Sequence, residues 1–330
     1  MKNSIAFCGN IITDQIKMIS RWPDKGMLVP ISSVKRAVGG SVSNTAVDLK
    51  TLDPEVTVKA VGKVGADDNG DFALEFLKSK GLDCSLVTKT AERPTSFTDV
   101  MTVESTGERT FFNLHGADST LVPDDVDVAT LDCEIFHFGY LLLLDGMDAP
   151  DDEFGTKAAR LLAKVQAAGI KTSVDIVSEQ SDRFARIVRP ALRYCDYCII
   201  NEIEGSMATG RAKDDFRGIC EGLFELGVKE RVVVHCPEVG VTMGRDGDFV
   251  RVGSLKLPSD WIKGTVGAGD AFCAGTLYSL LKGYDPEKTL RLASCAAAMN
   301  LTVADSVSGA KSLEETLALD ARFGRLTPKA

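Results

Sequence analysis

The stretch GTVGAGDAFCAG, Gly264 to Gly275, decides how the rest of the chain is read. It sets Gly264, Gly267, Gly269 and the acid Asp270 immediately before an apolar segment. Glycines let backbone approach a ligand closely. N–H groups at a helix start, helped by the helix dipole, make an anion site. A carboxylate beside an incoming phosphate is repelled by it, so Asp270 needs another reason to be there. It can take the proton from an attacking hydroxyl. A base and an anion hole at one helix start would form a phosphoryl-transfer device. A glycine turn with Asp as a helix cap fits the same spacing.

Outward from this turn, short β-branched runs alternate with longer amphipathic segments. SIAFCGNI, VTVKAVGKVG, EIFHFGYL, KTSVDIV, YCIIN and RVVVHC read as strands. SVSNTAVDLKTL, DNGDFALEFLKSKG, GTKAARLLAKVQAAG, RFARIVRPALRYC, FRGICEGLFELG and AFCAGTLYSLLKG read as helices, with a last one near TLRLASCAAAMNLTV. Asp67 to Asn69 are cap candidates for the second of these, and Gly81 is its stop. Repeated strand–helix units imply a parallel sheet covered on both faces, with right-handed crossovers. Ligands on such sheets sit at the carboxyl ends of the strands. Two segments, MLVPISSVKRAVGG and TSFTDVMTVESTGERTFF, are strand-like without intervening helices, and ESTGE is a hairpin turn. They predict a small β-sheet lid, about residues 14–38 and 95–113, inserted in a single domain spanning 1–330.

Composition sets limits. The 330 residues are 44% apolar, enough for a sizeable core, and the formal net charge is −9. That charge opposes binding to nucleic acid or an anionic membrane. Nine scattered cysteines read as reduced thiols of a cytoplasmic protein. Cys195 and Cys198 have C-x-x-C spacing but read as the entry to a strand. His115, His137 and His235 are too dispersed to suggest a metal cluster. The opening MKNSIAFCGNIITD is too polar-interrupted for a signal peptide, and no run of 18 apolar residues exists to span a membrane.

GTVGAGDAFCAG resembles the second signature of the ribokinase-like (PfkB) carbohydrate kinases, close to D-T-x-G-A-G-D-x-F-x-x-G. Thr265, Gly267, Ala268, Gly269, Asp270, Phe272 and Gly275 match. GGSVSNTA, Gly39 to Ala46, is similar to the first signature, G-G-x-x-x-N-x-A. GNIITD (Gly9 to Asp14), VGKVGADDNG (Val61 to Gly70), NEIE (Asn201 to Glu204) and SVSGA (Ser306 to Ala310) resemble further stretches, in family order.

The resemblance implies a ribokinase-like three-layer α/β/α fold, with a mostly parallel central sheet and a projecting β-sheet lid. It implies an ATP-dependent kinase acting on a hydroxyl of a small sugar. Asp270 would be the base, and the N–H groups of Gly267, Ala268 and Gly269 would stabilise the γ-phosphoryl. Asn10, Asp14, Gly39, Gly40 and Asn44 would form the acceptor pocket. Asn201, His235, Gly240, Thr265, Gly267 and Gly269 would bind the nucleotide. Asn201 and Glu204 would organise Mg²⁺ and its waters, Glu204 through water. Asn201 as a helix cap fits equally. Asp175 lies at a strand end facing the phosphates, where capping explains it as well, and Arg109 reads as a solvated strand charge. Relatives that dimerise through the lid suggest a homodimer here, using TSFTDVMTV with Leu28, Val29 and Ile31.

Two departures bear on function. Gly264 stands where the family usually has an Asp that helps hold a monovalent cation, which puts potassium activation in doubt. HCPEVG sets His235 and Pro237 at the first two fixed positions of T-x-G-x-x-G and keeps Gly240. Proline removes a backbone donor, so the nucleotide would sit differently or the donor would differ from ATP. The nearest alternative is a nucleoside kinase, with Phe97, Phe111 and Phe112 as a base platform. A non-catalytic sugar sensor is opposed by the intact G-A-G and Asp270. A nicotinamide oxidoreductase is opposed by the lack of G-x-G-x-x-G after the first strand.

Overall fold

A computed structural model describes residues 3–179 and 181–328. Strand β1 (Ser4–Gly9) is buried along its whole length, as a central strand covered on both faces must be. β2 (Ile12–Ile19), β3 (Ile31–Gly39), α1 (Ser41–Leu52), β4 (Thr57–Gly65), α2 (Asp68–Ser79), β5 (Asp83–Thr90), β6 (Phe97–Val103) and β7 (Arg109–Leu114) follow. The middle of the chain forms β8 (Ile135–Leu141), the short α3 (Asp145–Asp148) and a two-residue pairing of β9 (Pro150–Asp151) with β10 (Gly155–Thr156). Then come α4 (Lys157–Ala167), β11 (Lys171–Ile176), α5 (Phe184–Leu192), β12 (Tyr197–Asn201), α6 (Glu202–Thr209) and α7 (Phe216–Glu225). The last third holds β13 (Arg231–His235), β14 (Val239–Gly244), β15 (Phe249–Gly253), α8 (Ala268–Leu281), α9 (Pro286–Asn300) and α10 (Leu313–Arg322).

Nine strands form one sheet in the order β15-β14-β13-β12-β11-β8-β1-β4-β5. Neighbours from β13 through β5 run parallel, and β14 and β15 close one edge antiparallel. Strand alternation divides the core. Phe136 and Phe138 of β8 and Val232 and Val234 of β13 face Leu161 and Leu162 of α4, Val188 of α5 and Leu223 of α7. Ile135 of β8 and Val233 of β13 face the other way, toward Leu49 of α1, Leu77 of α2, Leu277 of α8 and Leu290 of α9. Each such side chain contributes about 1.5–3 kcal/mol when fully buried. The result is a layered α/β architecture with a mostly parallel central sheet, as the resemblance implies.

A second sheet of four strands, in the order β3-β2-β6-β7, projects from the body. β2 pairs antiparallel with β3, from Ile12 opposite Gly39 to Ile19 opposite Ile31, and parallel with β6. Val34, Phe111 and Phe112 on its strands are each more than half exposed, and Leu28 in the β2–β3 connection is 85% exposed. Trp22 stacks on Phe112 at 6.2 Å.

The caps behave as their chemistry dictates. Asp67 accepts from Gly70 N–H at 2.9 Å and starts α2. Several elements go beyond the pattern reading: β2 as a full strand, β5, the β14–β15 hairpin, and α10 after the helix that the pattern made last.

Candidate active site

Helix α8 starts just after Gly267, its N-cap residue, which has φ near +80°. Only glycine holds this conformation cheaply. A Cβ there would also lie 2.7 Å from Ser306 Cα, so the loop after α9 closes directly onto the turn. No side chain caps α8 among the described residues. Its first N–H groups therefore face the carboxyl ends of the strands without a built-in anion, apart from Ala268 N–H, which donates to Thr265 O at 3.3 Å. Thr265 itself is exposed at the mouth of the turn.

Asp270 is the third residue of α8, and it is buried. Asn44 Nδ2 donates to its Oδ2 at 3.0 Å, and Thr45 Oγ1 donates to Oδ1 at 3.3 Å. Tyr140 OH donates to the same Oδ1. Asn44 is oriented in turn by Ser306, whose Oγ donates to Asn44 Oδ1 at 2.8 Å. Burial raises the Asp270 pKa above the ordinary carboxylate value, and the bonds from Tyr140, Asn44 and Thr45 hold the rise in check. The carboxylate is thus made more basic and held still. A helix cap would accept backbone N–H groups instead, so the capping reading fails for Asp270; Asn44 sits in the first turn of α1.

The candidate acceptor residues converge near the same point. Asn10 Oδ1 accepts Ser41 N–H at 2.9 Å, which ties the end of β1 to the start of α1. Gly40 has φ near +95°, and a Cβ there would crowd the Asn10 backbone. At Gly39 a Cβ would lie 2.7 Å from Asp14 Oδ2, so the glycine leaves room for that carboxylate. Burial pushes Asp14 up to about 6, against a hydrogen bond from Thr98. Asn10 lines a small cleft with Ile12, Ser96, Asn113, His115 and Asp118. Asp118 is raised to about 6 by burial, and it accepts from Ser96 Oγ. Asn113, His115, Asp118, Thr45 and Tyr140 were not singled out from the sequence. Their partners lie far along the chain, so no local spacing marks them.

On the phosphate side, Asn201 caps α6: its Oδ1 accepts from Ile203 N–H at 3.0 Å and Glu204 N–H at 2.9 Å. Glu204 Oε2 accepts Asn201 N–H at 2.9 Å, and Oε1 accepts Ser178 Oγ at 2.6 Å. Burial raises Glu204 to about 7. Asp175, at the end of β11, is pushed well up by burial and then by the charges of Glu204 and Asp270. Asp175 stands within electrostatic reach of Glu204 and Asp270 at the carboxyl ends of the strands. Carboxylates grouped this way fit Mg²⁺ held largely through water. His235 packs on Phe272 with ring centroids 4.5 Å apart, and its Cε1 lies 3.8 Å from where a Gly269 Cβ would be. Burial lowers its pKa to about 4, so the ring is neutral beneath the start of α8. Gly240 is buried and pairs with His235 across the β13–β14 ladder, a packing position. Arg109, read as a solvated strand charge, makes one exposed hydrogen bond, from Nη2 to Ala304 O at 3.3 Å. The family's cation-holding acid has no equivalent at Gly264, where a Cβ would lie 2.8 Å from Val303 O. These residues do not fit a monovalent cation held by a carboxylate at that position.

Comparison with known proteins gives the family and the fold. The profile described as pfkB family carbohydrate kinase matches residues 2–312. An "uncharacterized sugar kinase" of Archaeoglobus fulgidus is 26% identical over 243 residues, covering 72% of this chain and 88% of that protein. The structure of Arabidopsis thaliana ribokinase complexed with ribose and ATP superposes with a TM-score of 0.80 at 22% identity, covering 97% of this chain and 99% of that one. A putative ribokinase II from E. coli in complex with ATP and Mg²⁺ superposes with a TM-score of 0.79 at 20% identity, covering 97% and 99%. With the profile spanning nearly the whole chain over a fold and a glycine turn of this kind, the protein belongs to the pfkB family of carbohydrate kinases and is an ATP-dependent carbohydrate kinase.

Proposed function

We propose that the protein transfers the γ-phosphoryl group of ATP to a hydroxyl of a small sugar, with Asp270 as general base. The observation that carries this reading is the buried Asp270 carboxylate at the uncapped start of α8, fixed by Asn44, Thr45 and Tyr140. The acceptor hydroxyl would replace one of these donors on Asp270 and lose its proton there as the oxygen attacks phosphorus. N–H groups of Gly267, Ala268 and Gly269 would take up charge on the transferring group, with Ala268 first leaving Thr265 O. Asn10, Asp14, Gly39, Gly40 and Asn44 would hold the other hydroxyls. Asn201, His235, Gly240 and Thr265 would border the nucleotide. Mg²⁺ would screen the triphosphate, held by Glu204 through water beside Asn201 and Asp175.

The cleft lined by Asn10 supports a neutral acceptor: Asp118 brings a carboxyl to it, and no lysine or arginine lines it among the described residues. The small sheet supports two further proposals. It would act as a lid over the acceptor, and its exposed apolar residues, among them Leu28, Ile31, Val34, Phe111 and Phe112, would be buried against a second copy. The nucleoside kinase reading keeps one specific support, the exposed Trp22–Phe112 stack as a base platform. No helix among the described residues is long and apolar enough to cross a membrane, and the proposed setting is the cytoplasm.

The test is coupled ADP release with Mg-ATP over neutral pentoses and hexoses, sugar acids, sugar phosphates and nucleosides. Turnover on a neutral sugar is expected. Turnover confined to nucleosides would replace this reading with the second one, and turnover confined to sugar acids or sugar phosphates would overturn the neutral acceptor.

A further inference from the structure

We infer that His137, Cys273 and Asp175 form a binding site for a thiophilic divalent cation of the zinc class. The three residues come from β8, α8 and β11, and their donor atoms all lie within 4.8 Å of one another. Cys273 Sγ is 3.8 Å from His137 Nε2. A tetrahedral ion with bonds of roughly 2.0–2.3 Å separates a sulfur and a nitrogen ligand by roughly 3.5 Å. The pair therefore needs to move by only a few tenths of an ångström.

The second shell is already in place. His137 Nδ1 is 3.1 Å from Ser173 Oγ. With Nδ1–H donating to that hydroxyl, the Nε2 lone pair faces Cys273. Such an outer hydrogen bond is the usual means of fixing a ligating imidazole. The donor types select the ion: one thiolate and one imidazole suit zinc-like metals, whereas Mg²⁺ prefers oxygen alone. His137 and Cys273 are each 1% exposed, so the packed core holds them in position. Asp175 is partly exposed at the carboxyl end of β11 and provides the way in. A water would complete the fourth position.

Binding needs no redox chemistry. The Cys273 S–H bond breaks, its proton leaves to solvent, and the sulfur electron pair goes to the metal. Nε2 of His137 and one oxygen of Asp175 each donate a lone pair. A bound ion would draw Asp175 toward Cys273, away from the phosphate side, and so slow turnover. That consequence rests on the kinase reading; the binding does not.

The test is titration of the full chain with Co²⁺, which is read by absorbance. Thiolate-to-cobalt charge transfer and tetrahedral d–d bands should grow to one equivalent, and Zn²⁺ should bleach them. Cys273→Ser should lose the charge-transfer band, while Cys198→Ala, at another buried thiol, should keep it. Asp175→Asn alters only the partly exposed ligand and should weaken Co²⁺ binding about tenfold or more. A charge-transfer band unchanged in Cys273→Ser, Co²⁺ affinity unchanged in Asp175→Asn, or no thiolate band in the wild-type protein would each overturn the site. Zn²⁺ should lower turnover of the wild type more than that of Cys273→Ser, and equal inhibition of the two would overturn the effect on turnover.

Discussion

Asp270 could be found from its own neighbourhood, because glycines and an acid before an apolar run are a local signal. The groups that make it a base could not. Tyr140 and Thr45 lie 130 and 225 residues from Asp270 in sequence, and the fold alone brings them together. The same holds for His137, whose sequence spacing argued against a metal cluster until β8, β11 and α8 came together. Tyr140 gives a prediction with a definite sign. Its hydrogen bond lowers a pKa that burial raises, so Tyr140→Phe should raise the Asp270 pKa further. The acidic limb of the kcat/KM profile, already above the ordinary value of 3.8, should move to higher pH. An unmoved limb would show that another group sets it. Asp48 gives a second prediction. It is 2% exposed on α1, neither carboxyl oxygen has a hydrogen-bond partner among the described residues, and burial pushes its pKa well up. The folded state therefore holds that proton more tightly than the unfolded chain, and stability falls as pH rises above the ordinary carboxyl pKa. Asp48→Asn should stabilise the protein at pH 7 by about 1–3 kcal/mol and by less at pH 4, measured by denaturant unfolding at both values.

At the scale of elements, the parallel strands were legible because burial on both faces writes itself as continuous β-branched runs. The β14–β15 hairpin was missed although Asp246-Gly247 sits at its turn, with Gly247 at φ near +86°. Its glycine-rich VGVTMG reads poorly as a strand, since neighbouring strands and α9 do the burying. β5 was missed because it is an edge strand with a mixed pattern, DCSLVTKT. α10 is held by its capping box, Ser312 with Glu315, more than by an apolar face. The two loops that meet behind the anion hole carry their own prediction. Gly264 brings no carboxylate, and Arg109 of β7 supplies a positive charge to Ala304 O. Replacing K⁺ by tetramethylammonium should leave kcat within about twofold, where a site-bound ion would cost several kcal/mol of charge stabilisation. A large loss of rate without K⁺ would place the ion elsewhere in these loops.

For the whole molecule, the net charge of −9 and the pfkB fold agree on a small-molecule enzyme. How much apolar surface the small sheet leaves exposed was not legible in the sequence, because alternation alone does not say which residues stay uncovered. The exposed Leu28, Val34, Phe111 and Phe112 predict a dimer, and sedimentation at micromolar concentration should show it, with Phe112→Asp shifting the population to monomer. A wild-type protein that sediments only as monomer would refute the docking of this sheet. The central claim is that Asp270 removes the acceptor proton. The most direct measurement is ADP release by the wild type and by Asp270→Asn on the sugar that the panel identifies, with sugar binding to both followed by calorimetry. The account predicts that Asp270→Asn still binds the sugar but turns over about 10²–10⁴-fold more slowly. Turnover within a few-fold of wild type would contradict it.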